Sequence, residues 1–87
     1  MMKDKVIQTA GKTWKTLGER GPISIAQLIK ILKMKADIIN QSIGWLARED
    51  KIKYIKKGNR DLVCLVDTEL QMFKILKDTP LMAGKQS

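Results

Sequence analysis

Lys56, Lys57 and Arg60 bracket the pair Gly58-Asn59. A little earlier, Asp37, Gln41, Gly44 and Arg48 recur at intervals of four, three and four residues. The first group suits anions. Three cations around a tight turn can neutralise phosphates and release their counterions. The second group falls on one stripe of a helix. There Gln41 could read adenine, Arg48 could meet guanine or phosphate, and Gly44 would let another backbone come close. Each group also has a plainer explanation. The cations could be a soluble turn whose charges protect strand edges. The stripe could be an ordinary solvated face, with Asp37 placed favourably near a helix N-terminus.

Other chemistries are poorly supplied. The chain has 87 residues, no histidine and a single cysteine, Cys64. That excludes a Cys/His zinc cluster, an internal disulfide and any histidine-dependent catalytic device. There is no glycine-rich phosphate loop and no paired-carboxylate motif. No enzyme, metal or cofactor is therefore expected. Cys64 reads as a small packed residue, since no helix N-terminus or metal motif accompanies it. No apolar run approaches the roughly 18 residues that span a membrane, and the N-terminal stretch lacks an apolar signal core. A cytoplasmic protein is the simplest expectation. Net charge is +8, which favours anionic partners, nucleic acid first. From Lys30 to Arg60, nine basic and three acidic residues concentrate +6 of that charge in the middle of the chain.

The elements that would position these groups can be read from local signals. Asp4 is a candidate N-cap, and Val6, Ile7, Ala10, Trp14 and Leu17 form a helical apolar stripe that Gly18 and Gly21-Pro22 should end. Gly11 inside this helix costs it about 1 kcal/mol relative to alanine, which predicts close packing there. Ser24 and Gln27 have capping-box spacing, and Ile23 with Leu28 occupies the positions of a hydrophobic staple. A second helix is expected over Ile25 to Leu32. After a short connection at Lys33-Met34, a third should run from Lys35 to Glu49. Its core face is Ile39, Ile43 and Leu46, edged by Ala36 and Ala47. Ile52 to Lys57 and Arg60 to Val66 read as strands joined at Gly58-Asn59. That register pairs Ile55 with Leu62, Tyr54 with Val63 and Ile52 with Leu65. It predicts a core face of Ile52, Tyr54, Val63 and Leu65.

Three helices and a two-stranded hairpin in this order, with a tight link between the second and third helices, make a winged helix-turn-helix of the α+β class. A short fourth helix is expected over Glu69 to Lys77, opened by a Thr68-Gln71 capping box. Residues 1–67 form the expected domain, and residues 68–87 a tail that frays after Pro80.

Gly11, Trp14, Leu17, Gly21, Ser24 and Leu28, then Gly44, Trp45, Leu46, Ala47, Arg48 and Glu49, carry a further resemblance. The segment from Ala10 to Leu65 resembles a family of small, uncharacterised bacterial winged helix-turn-helix proteins. These share a G-x-x-W-x-x-L helix, a G-x-x-S/T-x-x-x-L segment and a GWLARE-type ending of the third helix. The resemblance implies the fold and the possibility of a homodimer, and names no operator.

These readings converge on a non-enzymatic, homodimeric transcriptional regulator that binds double-stranded DNA through Lys35, Gln41, Arg48, Lys56, Lys57 and Arg60. The rival is a homodimeric protein-interaction module on the same scaffold, without specific DNA binding. Ile38 and Trp45 would form an apolar ridge roughly 120° from the centre of the third helix's core face. The wing or tail could cover that ridge, or it could join Leu70, Phe73 and Leu76 of the tail in a dimer interface.

Overall fold

The computed structural model describes residues 2–78, so the expected fraying after Pro80 lies outside the described residues. Four helices and one antiparallel hairpin follow in the order α1 (Met2–Arg20), α2 (Ile25–Leu32), α3 (Ala36–Arg48), β1 (Ile52–Lys57), β2 (Arg60–Leu65) and α4 (Asp67–Asp78).

The start signal of α2 acts as the sequence predicts. The Ser24 hydroxyl accepts the Gln27 N–H at 3.1 Å, and the Gln27 carboxamide oxygen accepts the Ser24 N–H at 2.9 Å. This reciprocal box opens α2. Ile23 and Leu28, the staple pair, are both buried. Lys33 then takes left-handed dihedrals and stops the helix. At the end of α3 the Lys51 N–H reaches the Leu46 carbonyl and the Asp50 N–H the Ala47 carbonyl. With Asp50 at φ 59°, this is a Schellman closure made without glycine.

The hairpin has the expected register, with Ile52 opposite Leu65, Tyr54 opposite Val63 and Ile55 opposite Leu62. Gly58 turns with φ 64°, whereas Asn59 is not among the positive-φ residues. That is the pattern of a II′ rather than a I′ turn. Ile23 adds a backbone bridge to Val63 on the other side of β2, with N···O distances of 3.1 and 2.8 Å. This bridge corrects the expected core face. It makes β2 an inner strand, buried from Leu62 through Leu65 on both of its faces. β1 remains an edge, and Tyr54 on it is 60% exposed.

The core joins Leu17, Leu28, Ile39, Ile43, Leu46, Val63 and Leu65. Four expectations for α1 fail. Asp4 does not cap it, because the helix starts at Met2 and Asp4 lies in its first turn. The buried face includes Thr9, Thr13 and Thr16 beside Ala10 and Leu17, while Ile7 is exposed. Three small β-branched residues let α1 lie close to its neighbours, so the stripe is rotated from the purely apolar one. Gly11 is not closely packed: a Cβ there would meet nothing within 4 Å. The tight glycine is Gly18, which lies inside α1 and does not end it. A Cβ on Gly18 would stand 2.5 Å from the Phe73 ring.

Candidate nucleic-acid interface

α3 presents two different sides. Ile38, Ile39, Ser42, Ile43 and Leu46 are buried. Asp37, Gln41, Gly44 and Arg48 line the opposite side; Asp37, Gln41 and Gly44 are exposed, as is Asn40 at the edge of the same stripe. The buried side reaches further toward Ile38 than periodicity of apolar residues alone indicates, because α1 packs there. Ser42 Oγ sits 2.9 Å from the Ile38 carbonyl and 3.2 Å from the Val6 carbonyl, with one proton for the two acceptors. Sequence reasoning missed Asn40 as a groove-facing candidate. Its place one residue before Gln41 was the available signal. A Cβ on Gly44 would meet nothing within 4 Å, so no neighbour in the chain requires glycine at that point. Asp37 Oδ1 accepts the Ile38 N–H at 2.8 Å, which directs its charge partly into the first turn of α3.

The hairpin carries the second part of the surface. Lys56, Lys57 and Arg60 are all exposed around the turn. Lys56 pairs across the strands with Asp61 at 3.6 Å. Both partners are well exposed, so the pair contributes little stability. Arg60 donates to the Gln27 carboxamide oxygen at 3.3 Å. That hydrogen bond sets the wing tip against the start of α2, where Pro22, Ile23, Gln27, Lys57, Arg60 and Leu62 line a shallow cleft. Lys51 and Lys53, in contrast, face the tail. Lys51 lies 3.7 Å from Glu69, and Lys53 lies 4.0 Å from Asp67. Among the described residues, Lys35, Arg48, Lys57 and Arg60 take part in no ion pair. The structure thus places Gln41 and Arg48 on one stripe and Lys57 and Arg60 at one turn, with Lys35 at the start of α3.

The residues expected at a dimer interface do not form one exposed surface. Ile38 is 6% exposed beneath α1, and Phe73 is 8% exposed. The Phe73 ring meets Trp14 edge-on at 5.5 Å between centroids and fills the space that Gly18 leaves. Trp14 Nε1 also donates to Glu69 Oε1 at 2.8 Å. Leu70 is partly buried against the core, and Leu76 is exposed. Trp45 is half-buried and lines a cleft with Trp14, Leu46, Glu69 and Met72. The tail therefore packs on α1, and its helix begins two residues earlier than the expected start at Glu69. No group of three potential metal-ligand residues converges among the described residues. No described helix is long and apolar enough to cross a membrane.

Known proteins resemble this chain in sequence or in fold. An uncharacterised protein of Methanocaldococcus jannaschii, MJ1608, is 40% identical over 67 residues, which cover 74% of this chain and 94% of that protein. The solution structure of BT2368 from Bacteroides thetaiotaomicron superimposes with a TM-score of 0.66 at 32% identity, over 75% of this chain and 79% of the other. Lactococcus lactis ZitR, in the apo form of a double mutant, gives a TM-score of 0.74 over 97% of this chain and 67% of its own. At 16% identity, that likeness concerns the fold alone. Residues 1–65 match the model of the winged helix-turn-helix domain DUF2582, and the chain belongs to that family.

Proposed function

We propose that this chain is a non-enzymatic DNA-binding protein and a transcriptional regulator. α3 enters the major groove and the wing meets the sugar-phosphate backbone. The observation that supports this most is the exposed stripe Asp37, Asn40, Gln41, Gly44 and Arg48 on α3, together with a wing tip whose Lys57 and Arg60 have no acidic partner among the described residues. Phosphate contacts from lysine and arginine supply affinity, and the α3 stripe supplies what sequence preference there is.

The test is a titration against a mixed-sequence duplex at several salt concentrations. Replacing Lys56, Lys57 and Arg60 together by alanine should lower the salt slope by roughly 0.9 for each phosphate left without a cation, alike for all sequences. Failure of the parent to bind duplex DNA at low salt would end this reading.

A second reading concerns assembly, and Gly11 favours it. This glycine lies in the middle of α1, is exposed and has nothing within 4 Å of its absent Cβ. It lines the two clefts that flank Trp14 between α1 and α4, which also contain Ile7, Met72 and Leu76. A helix from a second copy could approach closely at this point, so we place the homodimer contact here and not at Ile38 and Phe73. Light scattering on the parent and on Gly11→Lys checks it. The expected result is a dimer that the substitution turns into a folded monomer. A parent already monomeric at high micromolar concentration removes the dimer.

A further inference from the structure

Lys5, Lys33 and Lys35 line one cleft of about 350 Å³ together with Met34, Asp37 and Ile38. The cations come from two places in the chain, α1 and the link between α2 and α3. Lys5 is on α1, Lys33 ends α2, and Lys35 stands at the N-cap of α3. All three are exposed, and none joins an ion pair among the described residues. The acid in the cleft, Asp37, is engaged by the Ile38 N–H. Three cations against one carboxylate leave the cleft net positive, which attracts anions.

Lys33 adds a second argument. Its φ of 55° and ψ of 44° are left-handed, a conformation in which glycine is the usual residue at a helix end. Glycine would stop α2 equally well and carry no charge. The position holds a cation against its backbone preference.

We infer that this cleft is a second phosphate-binding site, which meets the duplex strand across the groove from the one that the wing meets. The inference rests on the DNA reading above and adds a partner geometry to it. Arg60 reaches Gln27 near the start of α2, whereas Lys33 caps its end. Gln27 and Lys33 lie six residues apart on α2, about 9 Å along its axis, and the major groove of B-DNA is about 12 Å wide. The wing tip and the lysine cleft thus stand at opposite ends of α2, and in the proposed complex each takes the phosphates of one strand. Single-stranded nucleic acid offers no such pair of phosphate rows.

The test uses the full chain, a labelled mixed-sequence duplex and a single strand of the same length. Lys33→Gly removes the charge and suits the local dihedrals, so its circular dichroism should match the parent's. Its salt slope on duplex should fall by roughly 0.9, and that of Lys5→Ala/Lys33→Gly by about twice as much. Binding to the single strand should change less. If the parent and the wing variant behave as proposed but the double variant keeps the parent's slope, the cleft is not a phosphate site and the DNA reading stands. An equal loss on single strand and duplex overturns the two-strand geometry. A parent that binds no duplex overturns both readings together.

Discussion

The side of the molecule built from α1 and α4 and the side built from α3 and the wing are held by different means. Between α1 and α4, aromatic rings and one charge-assisted hydrogen bond interlock: Phe73 sits over Gly18 and against Trp14, whose indole donates to Glu69. On the α3 and wing side, the outward-facing residues interact little with the rest of the chain. Among the described residues, Gln41, Arg48 and Lys57 form no side-chain hydrogen bond or ion pair, and Arg60 makes one long hydrogen bond with Gln27. The contacts that join α1 to α4 serve stability. The outward-facing residues of α3 and the wing take little part in it.

The largest expected effect tests the first half of that contrast. Phe73→Ala removes a buried ring and should cost about 3 kcal/mol in denaturant-measured stability, within the usual range for aromatic truncation. A loss below about 1 kcal/mol would make α4 an appendage after all. Gly18→Ala should cost about 1–2 kcal/mol, since the ring must move to admit a methyl, even though alanine favours the helix. A neutral result would show that Phe73 can shift freely. Ser24→Ala removes the cap of α2 beneath the wing tip and should cost about 1 kcal/mol. Unchanged stability would mean that Gln27 and solvent satisfy the helix end without it.

The smallest effect has the opposite sign and sharpens the comparison most. Gly44→Ala should raise stability by up to about 1 kcal/mol, because the new methyl meets nothing within the chain and alanine favours helix. The same substitution should weaken duplex binding if a backbone approaches the stripe. Higher stability with undiminished binding would show that Gly44 serves neither purpose.

Much of this architecture was legible because its signals are local. The Ser24-Gln27 box, the Ile39-Ile43-Leu46 spacing and the Gly58-Asn59 turn each lie within a few residues, and each marked its element correctly. The outward placement of Gln41, Arg48 and the wing cations followed from the same periodicity. The errors arose where partners are distant in sequence. Gly18 read as a helix terminator because nothing nearby reveals Phe73. Thr9, Thr13 and Thr16 were invisible to a search for apolar residues, although their small branched side chains form the buried face. Lys51 and Lys53 counted toward the central basic cluster until α4 supplied Glu69 and Asp67. Tyr54 read as a core residue from strand alternation, yet it is exposed, because the bridge from Ile23 puts β2 and not β1 inside.

That bridge has a kinetic meaning as well. Pairing Ile23 with Val63 encloses α2, α3 and β1 in a single loop of chain. The hairpin can zip locally in about 1–10 μs, whereas the bridge waits until the entire loop has closed and its entropy has been lost. Proteins with more such non-local pairings fold more slowly. The two backbone hydrogen bonds at Ile23 are therefore expected to form after the hairpin, fixing its tip relative to α2.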